Sequence, residues 1–441
     1  MWPRARQSCI ARMSRIIAQA TGAAVGLLIL SGYTLACSSQ EATTRLTISG
    51  SALGPEADVV QRQLAHFAER RPEVRVELQI TPDSADQRHQ LFVQWLNAHS
   101  PSPDVLQLDV IWIAEFAAAG WILPLDRFEA GIDDFLPASV ATARWRGRLY
   151  SIPWFVDVGM LYWRTDLLDR APRSLVELRQ EALRVRETES ARFGLVWQGA
   201  RYEGLVTVFL EHLAAFGGGI LDDRGRVIVD DPAAIRALTF MADAVNVDRV
   251  VPSSALTWQE EQVRFAFQNG EAAFMRNWPY AWALLQDESR SRVARRFAVA
   301  PFPAEEGGQP AAALGGAQLA INGRSAHPAL ASELVAFLAA PEQMIERARL
   351  TGQLPPRRSL YDNTELAAAL PIPLEQVRPI LEAAVPRPAT PVYSELSEIL
   401  QVSIHRALTR QQPPAVALQE AGREMRALLA RAGLSMEGPA R

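Results

Sequence analysis

Three large aromatic side chains, Trp278, Tyr280 and Trp282, lie close together in the sequence. Indole and phenol rings offer flat apolar faces with one polar group each. A sugar ring suits such a face, because its C–H bonds form apolar patches while its hydroxyl groups need polar partners at the edge. The residue types and spacing therefore point to carbohydrate binding. Burial of all three rings in a core is the alternative.

Carboxylates and arginines elsewhere in the chain could complete such a site. Sugar hydroxyl groups both donate and accept hydrogen bonds, so Asp, Glu and Arg bind them with directional specificity. Asp109 ends a strand-like run and is expected to point into a crevice, where open α/β sheets bind their ligands. For Glu56 and Arg88 the alternative is a surface or salt-bridge role. For Arg387, which lies between two prolines, it is a rigid loop that merely exposes a charge.

The aromatic segment is predicted to follow a strand. A short apolar run, Ala272 to Met275, precedes it. Pro279 suits the first turn of a following helix, where its missing N–H costs nothing. The order strand, turn, helix would place the rings at a strand end, which is the edge where ligand crevices form.

Strand and helix patterns alternate along most of the chain. Strands are predicted near 45–50, 74–80, 105–108, 159–162 and 194–197, and helices near 84–98, 112–120, 174–186 and 203–216. A further helix carries Val60, Leu64 and Phe67 on one face. This repetition predicts parallel sheets covered by helices. Extended segments at 150–157, 297–303 and Pro355-Pro356 are interpreted as crossings between two lobes that can close on a ligand.

The composition excludes several classes of function. With 441 residues, 49% of them hydrophobic, the chain can form two or three domains with large cores. A net charge of −4 provides no basic field for nucleic acid. All 45 basic residues are arginine, which removes Schiff-base and phosphate-loop chemistry because both need a lysine amine. The six histidines show no metal-ligand spacing.

The N-terminal segment has the pattern of a signal peptide. Four arginines precede an apolar run that is too short to span a bilayer. The following Thr34-Leu35-Ala36-Cys37 resembles a bacterial lipobox, in which the cysteine takes a lipid and becomes the mature N-terminus. We therefore expect a lipoprotein signal peptide at 1–36, a tether at 37–44 and lipid attachment at Cys37. An ordinary secretory signal with an incidental cysteine is the alternative.

The assembled chain resembles the trehalose/maltose-binding lipoproteins of ABC sugar importers, within the extracellular solute-binding proteins of family 1. The resemblance covers residues 45–432. It rests on the segments 103–112, 194–205, 276–282 and 384–388. It implies an α/β periplasmic-binding-protein fold, with two α/β lobes joined by a multi-strand hinge around a ligand cleft. Lobe 1 would comprise 45–153 plus 303–354, and lobe 2 would comprise 154–302 plus 355–441.

The same resemblance implies a set of ligand-binding residues. Matching positions gives Glu56, Arg88, Asp109, Phe155, Asp157, Trp278, Tyr280, Gly315, Gly316 and Arg387. Trp278 and Tyr280 would form the stacking platform, and Gly315 with Gly316 would let backbone amides approach the sugar. Arg387 would be a bidentate donor to the ligand, so that its loss would leave folding intact. Two positions depart from the family pattern: Ala317 replaces a tryptophan, and Phe155 lacks a tyrosine hydroxyl.

The function implied is capture of a disaccharide outside the cytoplasm and its delivery to ABC permease subunits. We expect a monomer held at the outer face of the cell membrane by its lipid, in the periplasm if the cell has two membranes, with no nucleic-acid partner, no cofactor and no metal. One alternative is a secreted glycoside hydrolase, which would need two carboxyl groups facing one glycosidic bond. Another is a structural or adhesive surface lipoprotein, which would not need an aromatic crevice.

Overall fold

The computed structural model describes residues 44–52 and 54–434 of the chain. Within these residues twelve strands form. In chain order they are β1 (Thr44–Ser51), β2 (Val74–Thr81), β3 (Val105–Asp109), β4 (Arg144–Trp145), β5 (Arg148–Leu149), β6 (Ile152–Val158), β7 (Met160–Arg164), β8 (Phe193–Val196), β9 (Ala272–Asn277), β10 (Phe297–Ala300), β11 (Ala312–Ile321) and β12 (Ala384–Val385).

Fifteen α-helices lie between and after these strands in the described part of the chain. They are α1 (Glu56–Arg70), α2 (Ala85–Asn97), α3 (Ile113–Ala118), α4 (Pro137–Thr142), α5 (Leu175–Glu187), α6 (Glu203–Ala215), α7 (Pro232–Asn246), α8 (Glu260–Gln268), α9 (Tyr280–Leu285), α10 (Pro328–Leu338), α11 (Pro341–Thr351), α12 (Thr364–Ala369), α13 (Leu374–Glu382), α14 (Tyr393–Leu408) and α15 (Pro414–Arg431). Short 3₁₀ helices span Asp126–Asp134, Ser253–Thr257 and Arg358–Asp362.

The first sheet has six strands in which β11 is the central element. Its strand order is β12-β11-β3-β1-β2, and β6 also pairs with β11. Strands β1, β2 and β3 are parallel, as the strand–helix repetition predicts. The prediction of parallel strands does not extend to β11, which runs antiparallel to both β3 and β6. Strand β11 enters this sheet from the opposite end, after the chain has passed through a second sheet.

The second sheet has four strands in the order β10-β7-β9-β8. Strand β9 pairs with β7 antiparallel and with β8 parallel. The chain leaves the first sheet at the end of β6 and enters the second at the start of β7, so Gly159 alone separates the two strands. The predicted lobe boundaries remain a prediction, but the two sheets provide a separate α/β layer for each half.

Helix burial follows the sequence patterns. The predicted apolar face of α1 is buried, with Val60, Leu64 and Phe67 at most 5% exposed. Every residue of α6 is buried, since α7, α14 and β11 pack around it. The first turn of this enclosed helix brings the charged residue Glu203 into the interior. The fold therefore positions a carboxylate between the two sheets.

The segment 1–43 lies outside the described residues, and so do the predicted signal peptide and the lipid-attachment residue Cys37. Across 44–52 and 54–434, none of the helices combines the length and the apolar composition that crossing a membrane would require.

Candidate functional site

The ends of strands from both sheets surround one cavity of about 100 Å³. Each of the ten predicted ligand-binding residues lines it: Glu56, Arg88, Asp109, Phe155, Asp157, Trp278, Tyr280, Gly315, Gly316 and Arg387. The predicted residues are therefore brought together, although they come from distant parts of the sequence.

The Asp157 side chain has a buried carboxylate oxygen that accepts no hydrogen bond from the described part of the chain. Its residue is half-buried on β6, and its Oδ1 atom is fully buried and has no hydrogen-bond partner among the described residues. Burial raises the pKa of Asp157 well above its ordinary value, and the nearby charges of Glu56 and Asp109 raise it further. Arg347 and Arg276 offset part of this shift. A donor from a ligand would satisfy this carboxylate.

Glu56 lies at the first turn of α1 and is held by amide side chains. Gln353 donates to its Oε1 at 2.7 Å, and Gln107 donates to its Oε2 at 3.5 Å. Burial raises the pKa of Glu56, while the charges of Arg347 and Arg88 act in the opposite direction. The carboxylate is thus fixed in orientation at the cavity wall.

Arg88 is half-buried on α2 and is anchored to the preceding loop. Its Nη1 donates to the backbone oxygens of Pro82 at 3.1 Å and Asp83 at 2.7 Å. These two bonds use one nitrogen of the guanidinium group, and an arginine carries five N–H donors in all. Arg88 can therefore direct further donors toward a ligand.

Arg387 is paired with the protein. Its Nη2 donates to Asp109 Oδ1 at 3.0 Å and its Nη1 to Glu203 Oε1 at 2.8 Å. Burial alone would lower the pKa of Arg387, but the charges of Asp109 and Glu203 outweigh burial and raise it. Loss of Arg387 would leave two carboxylates unpaired, one of them fully buried. The premise that Arg387 has the ligand rather than the protein as its partner is therefore wrong, and we expect its removal to destabilise the fold.

Trp278 and Tyr280 line the cavity in different ways. The Trp278 ring is half-buried, and its Nε1 donates to Glu260 at 3.5 Å. Tyr280 is only 2% exposed, and its hydroxyl donates to Glu261 at 2.7 Å. Burial and the charge of Glu261 raise the pKa of Tyr280 well above its ordinary value. Trp278 is thus the ring with surface to offer a ligand.

Trp282, the third ring of the aromatic segment, belongs to the core. It is 4% exposed and packs edge-on against Phe297, with ring centroids 4.7 Å apart. The segment forms strand β9 and then helix α9, as predicted. Trp282 comes two residues after Tyr280 in α9, so the two side chains leave opposite sides of the helix, and the alternative of core burial holds for Trp282.

Gly316 is required where β11 meets β6. It has a φ of +114°, and a Cβ atom there would lie 2.3 Å from the backbone oxygen of Phe155. A Cβ atom on Gly315 would lie 3.3 Å from the Trp278 ring, so a side chain there would need the ring to shift slightly. Ala317 and Phe155, the two departures from the family pattern, are both buried in the wall.

Sequence reasoning missed about half of the lining. Besides Ala317, one of the two departures from the family pattern, the cavity is also lined by Ser51, Asp83, Ala85, Gln107, Tyr202, Glu203, Gly204, Thr207 and Glu260. Glu203 is the most consequential, because it accepts from Tyr393 Oη at 2.8 Å and from Ser397 as well as from Arg387. Its position at the start of a helix that follows a strand is a signal that could have identified it.

This arrangement fits a neutral polyhydroxylated ligand. One aromatic face, several fixed carboxylates and an arginine meet around the same cavity. Among residues 44–52 and 54–434, no cluster of three or more His, Cys, Asp or Glu side chains is placed to hold a metal ion.

Comparisons with known proteins agree with this geometry. A profile of the family described as bacterial extracellular solute-binding protein matches residues 53–345. A probable ABC transporter-binding protein of Deinococcus radiodurans is 33% identical over 397 residues, which cover 87% of this chain and 93% of that protein.

Solved structures are similar over most of the chain. Maltose-bound MalE3 of T. maritima gives a TM-score of 0.83 at 40% identity, covering 88% of this chain and all of that one. The GacH receptor of Streptomyces glaucescens, solved unliganded and with acarbose, gives 0.79 at 26% identity, covering 88% and 99%. These similarities confirm the predicted fold, that of the periplasmic binding proteins.

Proposed function

Because the chain belongs to the bacterial extracellular solute-binding protein family, we propose that it captures a disaccharide of the maltose or trehalose type and delivers it to an ABC permease. Family membership implies a location outside the cytoplasm. The single observation that best supports a sugar ligand is that the unpartnered Oδ1 of Asp157 lies in the same cavity as the half-buried ring of Trp278. A sugar can satisfy both, since it has hydroxyl donors at its edge and an apolar face.

Calorimetric titration of the mature protein with maltose, trehalose, sucrose and glucose tests this proposal. We expect a disaccharide to bind at one site per chain, and glucose to bind more weakly because it has fewer hydroxyl groups to bond to the cavity wall. If none of these sugars releases or absorbs heat on titration and none raises the melting temperature, the proposal is wrong.

The two sheets are proposed to belong to two lobes that close on the sugar. Asp109 and Glu56 come with the first sheet, and Trp278 comes with the second, so a ligand that touches all three favours the closed form over the open one. Small-angle scattering should give a smaller radius of gyration with disaccharide than without it. An unchanged radius at calorimetrically verified saturation would count against closure.

The lipid anchor at Cys37 is likewise a proposal, supported by the lipobox-like Thr34-Leu35-Ala36-Cys37. Cleavage before Cys37 and attachment of acyl chains would hold the protein at the membrane. Mass spectrometry of the membrane-bound protein should find a lipid-modified Cys37 at the N-terminus. Cys37→Ser should release protein that still binds sugar; an unmodified Cys37 in the membrane fraction would refute the anchor.

A glycoside hydrolase is the second candidate, because Asp157 has the raised pKa that a general acid needs. We propose binding without cleavage, since the relatives are solute-binding proteins. Prolonged incubation with maltose or trehalose should release no glucose. Glucose release that is lost in Asp157→Asn would favour the hydrolase.

A further inference from the structure

The ring of Trp278 rests on a buried cation. The guanidinium carbon of Arg276 lies 3.9 Å from the ring centroid, and Arg276 is 1% exposed. A cation within about 6 Å of a ring centroid is attracted to the face of the ring. Arg276 therefore occupies one side of the indole, and the surface that remains accessible is directed at the cavity that Trp278 lines.

Arg276 is itself held rigidly. Its Nε and Nη2 donate to Glu211 at 2.9 and 2.7 Å, and Glu211 is also 1% exposed. Its Nη1 donates to Gln198 Oε1 at 3.4 Å, and Gln198 Nε2 donates back to the backbone oxygen of Arg276 at 3.3 Å. A paired guanidinium with this many contacts has one orientation, so it can fix the plane of the ring above it.

The same carboxylate also holds the strand that faces the ring. Glu211 Oε1 accepts from the backbone N–H of Ala313 at 3.0 Å. Two residues further along β11, Gly315 lies so close to Trp278 that an added Cβ would be 3.3 Å from the ring. Glu211 thus connects Arg276, which lies against the Trp278 ring, to strand β11, which carries Gly315.

The ion pair lies against the link between the two sheets. A Cβ atom on Gly159 would lie 1.7 Å from Glu211 Oε1 and 2.5 Å from Arg276 Nη2. The backbone N–H of Gly159 donates to the oxygen of Ala313 at 3.1 Å. The Trp278 ring, strand β11 and the link at Gly159 therefore all lie against the same buried ion pair.

We propose that the Glu211–Arg276 ion pair is the positioning element of the sugar site: it sets the plane of Trp278 relative to Gly315 and the link at Gly159. The inference rests on the proposed function. Arg276 and Glu211 do not line the cavity and act through the ring and the strand. Losing the pair should therefore lower sugar affinity even when the protein remains folded.

The double variant Arg276→Met with Glu211→Gln tests this proposal. Replacing both members of a buried ion pair leaves no uncompensated charge, and the introduced glutamine would keep an acceptor for the N–H of Ala313. The control is Arg164→Met with Asp166→Asn, a bidentate pair at the end of β7 that is more exposed, at 9% and 26% against 1% and 1%, and whose residues do not line the cavity. Each variant is titrated with maltose and trehalose, and its circular dichroism and ligand-induced tryptophan fluorescence are recorded.

We expect the double variant to fold. Its affinity for whichever of maltose and trehalose the wild type binds more tightly should fall by about tenfold or more. It should also lose most of the ligand-induced change in tryptophan fluorescence. The control pair should bind as the wild type does. Arg276→Lys, which keeps a charge beside Glu211 without a planar guanidinium, provides a second folded variant and should also bind weakly. Wild-type affinity in either folded variant would overturn the positioning role. Failure of the wild type to bind any sugar would instead overturn the proposed function.

Discussion

Replacing Trp278 by alanine is expected to weaken disaccharide binding by about 1–3 kcal/mol, the scale for removing a buried aromatic contact at a binding site. Trp278 is the ring of the aromatic segment that keeps surface toward the cavity, since Tyr280 is 2% exposed and Trp282 lies in the core. The loss should appear in calorimetry as a higher Kd, and the ligand-induced change in tryptophan fluorescence should disappear.

Trp145 provides a matched control for that substitution. It is also half-buried and also lies under an arginine, with the guanidinium carbon of Arg146 5.5 Å from its ring centroid, but it does not line the cavity. Trp145→Ala should leave the Kd unchanged. Equal binding by Trp278→Ala and wild type would place the sugar elsewhere.

Asp157→Asn is expected to separate stability from binding. The substitution keeps the shape of the side chain and removes a buried, unpartnered carboxylate, so the free protein should become more stable. A hydrogen bond to a charged acceptor contributes about 1.5–3 kcal/mol, so sugar affinity should fall by roughly 10- to 150-fold. Thermal melting and calorimetry on the same samples measure both effects. A variant that is less stable and binds normally would contradict the assignment.

The dependence on pH follows from the raised pKa of Asp157. Above its ordinary pKa the unfolded chain loses this proton while the native protein retains it, so the unfolded state binds fewer protons. The contribution of Asp157 to stability is therefore full below the ordinary pKa and is lost as pH rises through the raised one. Hydroxyl donors of a sugar favour the charged form, so over the same interval affinity should rise with pH. As the pH rises, the stability of the wild type relative to Asp157→Asn should fall, and its sugar affinity relative to that variant should rise.

Local patterns were sufficient to predict the elements of the site. The alternation in 74–80 and the apolar spacing of Val60, Leu64 and Phe67 reflect periods that each element imposes on its own sequence. Strand ends then place Asp109 and Trp278 at cavity edges, because open α/β sheets bind ligands there. The resemblance supplied the remaining residues, such as Glu56 and Gly315.

Long-range pairings could not be predicted in this way. The antiparallel direction of β11 depends on the route of the chain through the second sheet, which no local period records. The pairing of Arg387 with Asp109 and Glu203 joins residues that are far apart in sequence, so Arg387 was assigned to the ligand alone. Burial of Trp282 depends on its contact with Phe297, a partner from another strand.

The most direct test is a crystal structure of the mature protein with the disaccharide that binds best in calorimetry. We expect one sugar ring against the free face of Trp278 and a sugar hydroxyl within hydrogen-bond distance of Asp157 Oδ1. We also expect the pairs of Arg387 with Asp109 and of Arg276 with Glu211 to be retained. A sugar bound outside this cavity, or bound inside it with Asp157 Oδ1 still lacking a donor, would contradict the account.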